Sequence, residues 1–324
     1  MDNTYKKIHQ SSIVVDLHND YLEERVHHPE HRLFSNSKHH TDLTRLKAGG
    51  VNVQFFVIWT RPDEHDDHFS RAMELIELLE SDVAECNGEI EFARNYNDII
   101  SVVNREKIAA VLCLEGGQLI GNSIDNIDNF YERGMRYLTL AWNYGTEWCG
   151  GAKDEDDKGL SPFGKEVIDR LIKLGVMIDV SHVNEKSLQD ILDYTDATVI
   201  ATHSGAYNVC NHKRNLSDEH IKEIARRGGV IGSVFYPSFL NGTDQATIAD
   251  VVAHINYIRK LTGSVDHISL GSDYDGIDLV PKGLENVSKF PNLTKALYEE
   301  GYSADEISKI LGLNALRVFM TICG

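Results

Sequence analysis

The chain has 324 residues, 42% of them hydrophobic, and its 50 acidic and 32 basic side chains give a formal net charge of −18. This length suits one large domain or two small ones, and the charge argues against nucleic acid and anionic membrane surfaces as partners. The sequence contains no apolar run long enough for a transmembrane helix, and its five scattered cysteines form no C-x-x-C pair, which argues against a disulfide framework and a thiolate zinc site.

Eight short apolar runs rich in β-branched residues recur along the chain, and each is followed by a longer mixed segment. The predicted strands are 13–18, 51–59, 109–115, 137–142, 176–182, 199–204, 230–235 and 268–273. Nearly continuous apolar runs of this kind are typical of parallel strands that are buried on both faces.

Helical periodicity fills the segments between these strands. It is clearest over 68–86, 164–175, 185–194, 218–229 and 250–261. After the eighth strand, the sequence predicts two or three further helices, separated at Gly301 and Gly312. Eight strands alternating with helices fit a closed (β/α)8 barrel or a large doubly wound sheet. Because the units are similar and no linker divides them, we predict a single domain over 1–324, a (β/α)8 TIM-type barrel with extra C-terminal helices.

Side chains that commonly bind metals stand at the ends of five predicted strands. They are His18 and Asp20 after the first strand, Glu115 after the third, His182 after the fifth, His203 after the sixth and Asp273 after the eighth. In a (β/α)8 barrel the carboxyl ends of all strands meet at one rim, where active sites lie. Each residue alone is a weak signal, but together they predict a metal centre.

The spacing and the residue types indicate how cations could be shared. In an extended H-x-D segment, His18 and Asp20 point to one face and can hold one cation. The histidines after the fifth and sixth strands can hold a second, and Glu115 is the candidate bridge. A water between two such cations becomes a nucleophile near neutral pH. Asp273 could then orient this water and pass its proton to a leaving amine, or instead serve as a third ligand or a turn residue.

Further histidines lie in polar sequence on both sides of the second strand. They are His27, His28, His31, His39 and His40 before it, and His65 and His68 after it. Because they lie away from strand ends, we expect surface or loop roles, while a lid or substrate contact for residues 21–45 stays open. Cys113 and Cys210 are expected to be buried or half-buried small residues and not nucleophiles.

The motifs around these residues resemble those of the membrane (renal) dipeptidase family of metallopeptidases, within the amidohydrolase-like barrels. The matching stretches are VVDLHND (14–20), CLEGG (113–117), RYLTLAWN (136–143), IDVSH (178–182), THSGAYNVCNHKRN (202–215), GSDYDG (271–276) and GLENVSKFPNLTKAL (283–297). They cover nearly the whole chain, and their order and spacing make the resemblance specific.

The resemblance implies a dipeptidase with two zinc ions per chain and a metal-bridging hydroxide. It assigns His18 and Asp20 to the first zinc, His182 and His203 to the second, and Glu115 to both. Asp273 matches the catalytic aspartate, and Arg214 matches the arginine that binds the substrate's terminal carboxylate, a role that suits a guanidinium fork. The implied substrates are dipeptides, including those with a D-residue at the carboxyl end, and the family also suggests a homodimer.

One position departs from the family pattern. Animal members carry a substrate-contacting histidine after the fourth strand, where this chain has Trp142 followed by Asn143. The indole N–H can donate one hydrogen bond and the amide can supply another, so both are predicted substrate contacts.

Two other functions are compatible with a metal-bearing barrel. One is a different binuclear amidohydrolase, such as a lactonase, deaminase or cyclic-amide hydrolase, but many of these bridge their metals with a lysine on the fourth strand, and YLTLAW has none. The other is a barrel that has lost catalysis, against which the full set of six site residues argues. The polar N-terminus and the lack of a hydrophobic anchor tail predict a soluble, cytoplasmic member.

Overall fold

The computed structural model describes residues 3–34 and 38–324, and its centre is a barrel of parallel strands. The strands are β1 (Val14–Asn19), β2 (Val51–Ile58), β3 (Ile90–Phe92), β4 (Ile108–Glu115), β5 (Met135–Thr139), β6 (Met177–Asp179), β7 (Val199–Ser204), β8 (Ile231–Ser233) and β9 (Ile268–Leu270). The barrel order is β1-β2-β4-β5-β6-β7-β8-β9, and β3 pairs with β4 outside this order. The prediction of a (β/α)8 TIM-type barrel is confirmed.

The barrel closes where the chain after β9 meets β1, and we call these contacts the closing seam. Asn19 and Tyr274 form a parallel bridge, and the backbone N–H of Asp20 donates to the Tyr274 carbonyl oxygen at 2.9 Å. The Asp16 carboxylate accepts hydrogen bonds from the backbone N–H of Ser272 at 2.8 Å and from its hydroxyl at 2.7 Å. A doubly wound sheet would keep its first and last strands apart, so these contacts exclude the doubly wound sheet as the fold.

Helices surround the barrel and connect its strands. They are α1 (Thr4–Ser11), α2 (Tyr21–His27), α3 (Leu43–Ala48), α4 (His68–Glu85), α5 (Tyr96–Val103), α6 (Ile124–Arg133), α7 (Pro162–Leu174), α8 (Glu185–Tyr194), α9 (Asp218–Arg226), α10 (Pro237–Leu240), α11 (Ile248–Thr262), α12 (Phe290–Glu299), α13 (Ala304–Ser308) and α14 (Asn314–Cys323). Short 3₁₀ turns span Gly117–Ile120 and Val287–Lys289. Among the helices of the described ranges, none combines the length and the apolar character needed to cross a membrane.

Capping residues explain where several of these helices begin and end. The Ser161 side chain accepts a hydrogen bond from the Gly164 backbone N–H at the start of α7, and Gly175 ends that helix in a left-handed conformation with φ of 68°. At the start of α13, Ser303 and Glu306 form a reciprocal capping box. Polar caps of this kind satisfy backbone groups that the first helical turn leaves without partners.

Alternate side chains of the strands pack on opposite faces of the barrel wall. On β2, Val53 and Phe55 join one cluster with α14, whereas Phe56 joins the other cluster with the surrounding helices. Phe319 of α14 meets Phe55 edge-on with ring centroids 5.8 Å apart. Arg317 donates to backbone carbonyl groups just before β8 and β9. Helix α14 therefore covers the amino ends of the strands and leaves the carboxyl rim open.

Strands β5, β6 and β9 each end three residues earlier than the sequence predicts, and two other features also differ from the prediction. Strand β3 was not predicted, because its three residues carry too little periodicity to stand out. Gly312 was predicted to separate two helices, but it lies in a π-helical turn (Lys309–Leu313) between α13 and α14. A Cβ at Gly312 would lie 2.2 Å from the Ile13 carbonyl oxygen, so this glycine allows close packing against the segment before β1. Gly301, with φ of 93°, does follow the end of α12.

Candidate metal centre

Six predicted residues meet at the rim formed by the carboxyl ends of the strands. His18 lies in β1 with Asp20 just after it, Glu115 ends β4, His182 follows β6, His203 lies in β7 and Asp273 follows β9. All except the partly exposed Asp273 are buried. Residues from distant parts of the sequence therefore come together as the rim argument predicts.

Glu115 Oε1 lies between three histidine side chains. It is 2.9 Å from His182 Nε2, 3.5 Å from His203 Nε2 and 3.6 Å from His18 Nε2. These contacts lack hydrogen-bond geometry, so within the described residues Glu115 Oε1 and His18 Nε2 are buried without a hydrogen-bond partner. Because a buried polar atom without a partner is costly, a cation shared by these atoms would fit the arrangement.

The electrostatics of the cluster also fit a cation. Burial lowers the pKa of His18, but the Glu115 and Asp20 carboxylates outweigh that effect and raise it to about 10. For His182 and His203, burial and nearby positive groups hold the pKa well below its usual value, so both rings are neutral and offer nitrogen lone pairs. A divalent cation would supply positive charge beside the carboxylates, and this mixture of imidazole and carboxylate donors suits zinc.

A buried carboxylate behind the histidines fixes the ring of His203. The Thr202 hydroxyl donates to Asp179 Oδ2 at 2.7 Å and lies 2.9 Å from His203 Nδ1. Because its hydrogen is directed at Asp179, the hydroxyl oxygen accepts the Nδ1–H, which leaves Nε2 to face the cluster. Asp179 also accepts the Thr139 hydroxyl at 2.6 Å and the Ser181 backbone N–H at 3.1 Å.

Tyr137 orients His18 in the same way. Its hydroxyl donates to the Leu17 carbonyl oxygen at 3.1 Å and lies 3.0 Å from His18 Nδ1, whose N–H it accepts. The sequence prediction included neither Tyr137 nor Asp179. The available signal was a single acid inside the apolar stretch IDVSH, since a buried carboxylate must be hydrogen-bonded.

The backbone at the rim is locally strained. His182 and Asp273 have left-handed conformations, with φ of 66° and 65°. Non-glycine residues rarely adopt such angles, and they cluster at functional sites, where surrounding contacts hold them. In the turn after Asp273, a Cβ at Gly276 would lie 2.3 Å from Asp20 Oδ2 and 2.8 Å from Asp273 Oδ1. Glycine at this position therefore lets both carboxylates approach the same turn.

Asp273 lies beside the histidine and aspartate of β1. One ligand atom from each of His18, Asp20 and Asp273 lies within 4.8 Å of the others. The Asp273 backbone N–H donates to the His18 carbonyl oxygen at 3.2 Å, so the residue belongs to the closing seam. Loss of hydration among the surrounding side chains raises the pKa of Asp273 to about 7, while His18 opposes this shift and Asp20 adds to it. Asp273 therefore stands where either a metal ligand or a proton acceptor would stand.

A cleft of about 600 Å³ opens onto the cluster, and Glu115, His182 and Asp273 are among its lining residues. The predicted substrate contacts Trp142 and Asn143 also line it.

One wall of this cleft is aromatic. The ring of Trp142 lies 6.3 Å from that of His182 and 4.8 Å from that of Trp59, which the sequence did not single out. Together the two indoles offer an apolar surface beside the polar cluster, as is typical of pockets for small organic ligands.

Arg214 is buried beside the cluster and lines an adjoining cavity of about 500 Å³. His182 lines both this cavity and the cleft. Arg214 Nη2 donates to the His203 carbonyl oxygen at 3.2 Å, and the guanidinium carbon lies 5.3 Å from the Phe239 ring centroid. As far as residues 3–34 and 38–324 show, its Nε has no hydrogen-bond partner. A buried cation with an unused donor is suited to bind an anion.

A protein-family model described as membrane dipeptidase (peptidase family M19) matches residues 3–323. A Schizosaccharomyces pombe protein named as an uncharacterized dipeptidase is 34% identical over 97% of this chain and 82% of its own length. A second protein of that organism, named in the same way, is 33% identical over 95% of this chain and 80% of its own length.

Two solved structures are similar over almost their full length. One is the metallopeptidase dipeptidase AC of family M19, with a TM-score of 0.90 and 26% identity, covering 97% of this chain and 99% of that one. The other is a metallopeptidase from Rhodobacter sphaeroides, bound to a phosphinate mimic of the dipeptide L-Ala-D-Ala. Its TM-score is 0.89 at 25% identity, covering 96% of this chain and 100% of that one.

Proposed function

This chain belongs to the membrane dipeptidase family of peptide-bond hydrolases, and we propose that it is a dipeptidase that works with two zinc ions at the barrel rim. The observation that carries this proposal is the position of Glu115 Oε1, which is buried within 3.6 Å of three imidazole nitrogens. A single carboxylate among three such nitrogens is the arrangement expected of a ligand that two cations share.

The donors divide into two sets around Glu115. His18 and Asp20 would hold one zinc, with their Nε2 and Oδ2 atoms 3.3 Å apart. His182 and His203 would hold the other, with their Nε2 atoms 2.8 Å apart. When bound, the two cations would polarise the peptide carbonyl and lower the pKa of a water so that hydroxide forms near neutral pH.

We propose that Asp273 moves the proton in this reaction. Its carboxylate reaches the cleft from the turn after β9 and lies close to the ligand atoms of His18 and Asp20. From there it can accept the proton of the attacking water and deliver it to the leaving amine. The seam contacts on either side hold this turn in place while the proton moves.

Arg214 would recognise the free carboxylate of the substrate. The support for this role is its position on the cavity that shares His182 with the cleft, where it would put a cation at one end of the substrate site. A terminal carboxylate held there would fix the distance to the scissile bond and so limit substrates to two residues. Trp142 and Asn143 would contact the rest of the dipeptide from the cleft wall.

A D-residue at the carboxyl end is part of the proposed substrate range. Its support is the similar metallopeptidase from R. sphaeroides, which was solved with a phosphinate mimic of L-Ala-D-Ala. The test is a panel of dipeptides in both chiral series, assayed on protein whose metal content is measured in the same sample. We expect hydrolysis with at least two zinc per chain, loss of activity after chelation and recovery on adding zinc.

Dipeptide amides are the matched control, because they keep the scissile bond and lack the carboxylate. They should be poor substrates if Arg214 reads that group. Hydrolysis that survives complete metal removal would refute the zinc proposal, and equal turnover of acids and amides would refute the role of Arg214.

A further inference from the structure

Three histidines outside the catalytic rim form a compact cluster, which we call the histidine triad. His28 follows α2, and His31 and His39 lie in the connection from α2 to α3. The ring centroid of His28 is 4.9 Å from that of His31 and 5.0 Å from that of His39, and the centroids of His31 and His39 are 4.3 Å apart. One nitrogen of each ring lies within 4.8 Å of the other two. We infer that the triad is a binding site for a zinc-like divalent cation, separate from the catalytic pair.

A carboxylate lies beside two of the three histidines. Glu24 stands on α2 one turn before His28, and its Oε2 is 2.8 Å from His39 Nδ1 and 3.9 Å from His28 Nε2. Three imidazoles and one carboxylate make four donors of the types that zinc accepts in tetrahedral sites. Such a set also accepts cobalt, nickel and copper(II), so its chemistry is that of a borderline transition metal, not of calcium or magnesium.

His31 gives independent support for a ligand. The residue is only 8% exposed, and its Nδ1 has no hydrogen-bond partner in the part of the chain that the structure describes. A buried imidazole nitrogen normally finds a donor or acceptor, because leaving it without one destabilises the fold. Coordination to a cation would remove this cost.

The surroundings of His39 disfavour its protonation. Burial lowers the pKa of His39, and the adjacent His31 and His28 lower it further. Rings this close repel one another when more than one is protonated, whereas a single divalent ion can neutralise the repulsion and use all three lone pairs. Glu30, which lies 3.6 Å from His31 and 3.8 Å from His28, adds negative charge at the solvent side.

The geometry requires only small side-chain adjustments. Nitrogens around tetrahedral zinc are about 3.3 Å apart, given a zinc–nitrogen distance of about 2.0–2.1 Å. The triad nitrogens, at up to 4.8 Å, would approach by about 1.5 Å at most, which small rotations of the three side chains would supply. The bound ion would join the end of α2 to the segment before α3, beside a cleft that Glu24 and His28 help to line.

The test is metal stoichiometry of the full chain, which does not depend on catalysis. Protein stripped with a chelator is dialysed against buffered free zinc, and bound zinc is counted by mass spectrometry. We expect His31→Gln and His39→Gln each to bind one zinc fewer than the unchanged chain. His27→Gln is the matched control, since this exposed neighbour on α2 lies outside the triad and should leave the count unchanged.

A second pair of measurements separates this site from the catalytic one. A His18→Gln/His203→Gln variant should still bind one zinc, and one cobalt in its place should give the intense visible absorption of tetrahedral coordination. If a buried substitution prevents folding, exposed His28→Gln tests the same loss. Zinc counts that match the unchanged chain in all three triad variants, or no zinc in the catalytic variant, would overturn the inference.

Discussion

Thr202 carries the only hydroxyl that links Asp179 to His203 among the contacts of the described chain, and Thr202→Val removes it with little change in shape. The variant leaves the Nδ1–H of His203 buried without an acceptor and takes one of four hydrogen-bond donors from Asp179. An unsatisfied buried group costs about 1–3 kcal/mol. If the imidazole can turn or change tautomer, most of that cost falls on cation binding, where loss of such a partner weakens affinity by about 10–100-fold.

The assay is competition for zinc between the protein and a chromophoric chelator, followed by kinetics at limiting and at saturating zinc. We expect Thr202→Val to bind zinc about 10–100-fold more weakly, and its kcat to recover largely when zinc is in excess. Thr202→Ser is the control, because it retains the hydroxyl and should bind zinc almost as the unchanged chain does. Chemical denaturation of the metal-free proteins measures how much of the cost falls on folding.

Equal zinc affinities of Thr202→Val and Thr202→Ser would refute this role of the hydroxyl. A loss of kcat in Thr202→Val that saturating zinc does not restore would also refute it, since the hydroxyl would then act on the reaction itself and not on the orientation of the ligand.

Three further predictions concern different parts of the molecule. Asp273→Asn should keep its zinc while kcat falls by about 10²–10⁴-fold, and a parallel loss of metal would instead make Asp273 a ligand. Arg214→Lys keeps the charge but loses the guanidinium fork, so kcat/KM for free dipeptides should fall by about 10–100-fold, whereas the slow hydrolysis of dipeptide amides should change little. His254 accepts the Ala206 backbone N–H at Nδ1 and is neutral in the fold, and burial lowers its pKa below the usual 6.5. As the pH falls below about 6.5, the unfolded chain therefore binds a proton that the folded chain does not, and the free energy of unfolding falls. His254→Gln should make this fall less steep, by at most about 1.4 kcal/mol per pH unit. Urea denaturation at several pH values measures the difference.

The barrel and its rim could be predicted because both depend on local patterns. The strands at 51–58 and 199–204 are recognisable as continuous apolar runs. A parallel barrel brings the carboxyl ends of all its strands to one rim, whatever the intervening sequence. His18 and His203 were therefore placed together without any knowledge of their contacts.

The features that could not be predicted depend on contacts between side chains that are distant in sequence, and no local sequence pattern encodes these contacts. The histidines at 28, 31 and 39 were assigned to loop roles, since nothing in the sequence says that the chain folds back to stack their rings. Gly312 had the appearance of a helix breaker, yet it serves close packing against Ile13. Asp179 and Tyr137 act through other residues, so their importance appears only when hydrogen bonds can be traced.

The closing seam ties catalytic competence to the last step of assembling the barrel. The groups that join the two ends of the sheet include the backbone of His18, Asp20 and Asp273. The first and last strands therefore cannot separate without displacing the residues proposed to bind metal and move the proton. A partly opened state could keep most of its helices and strands and still have no working site. Activity in this molecule is therefore a more sensitive measure of an intact barrel than its helical content. Ligands that bind across the rim would stabilise the closed barrel against unfolding.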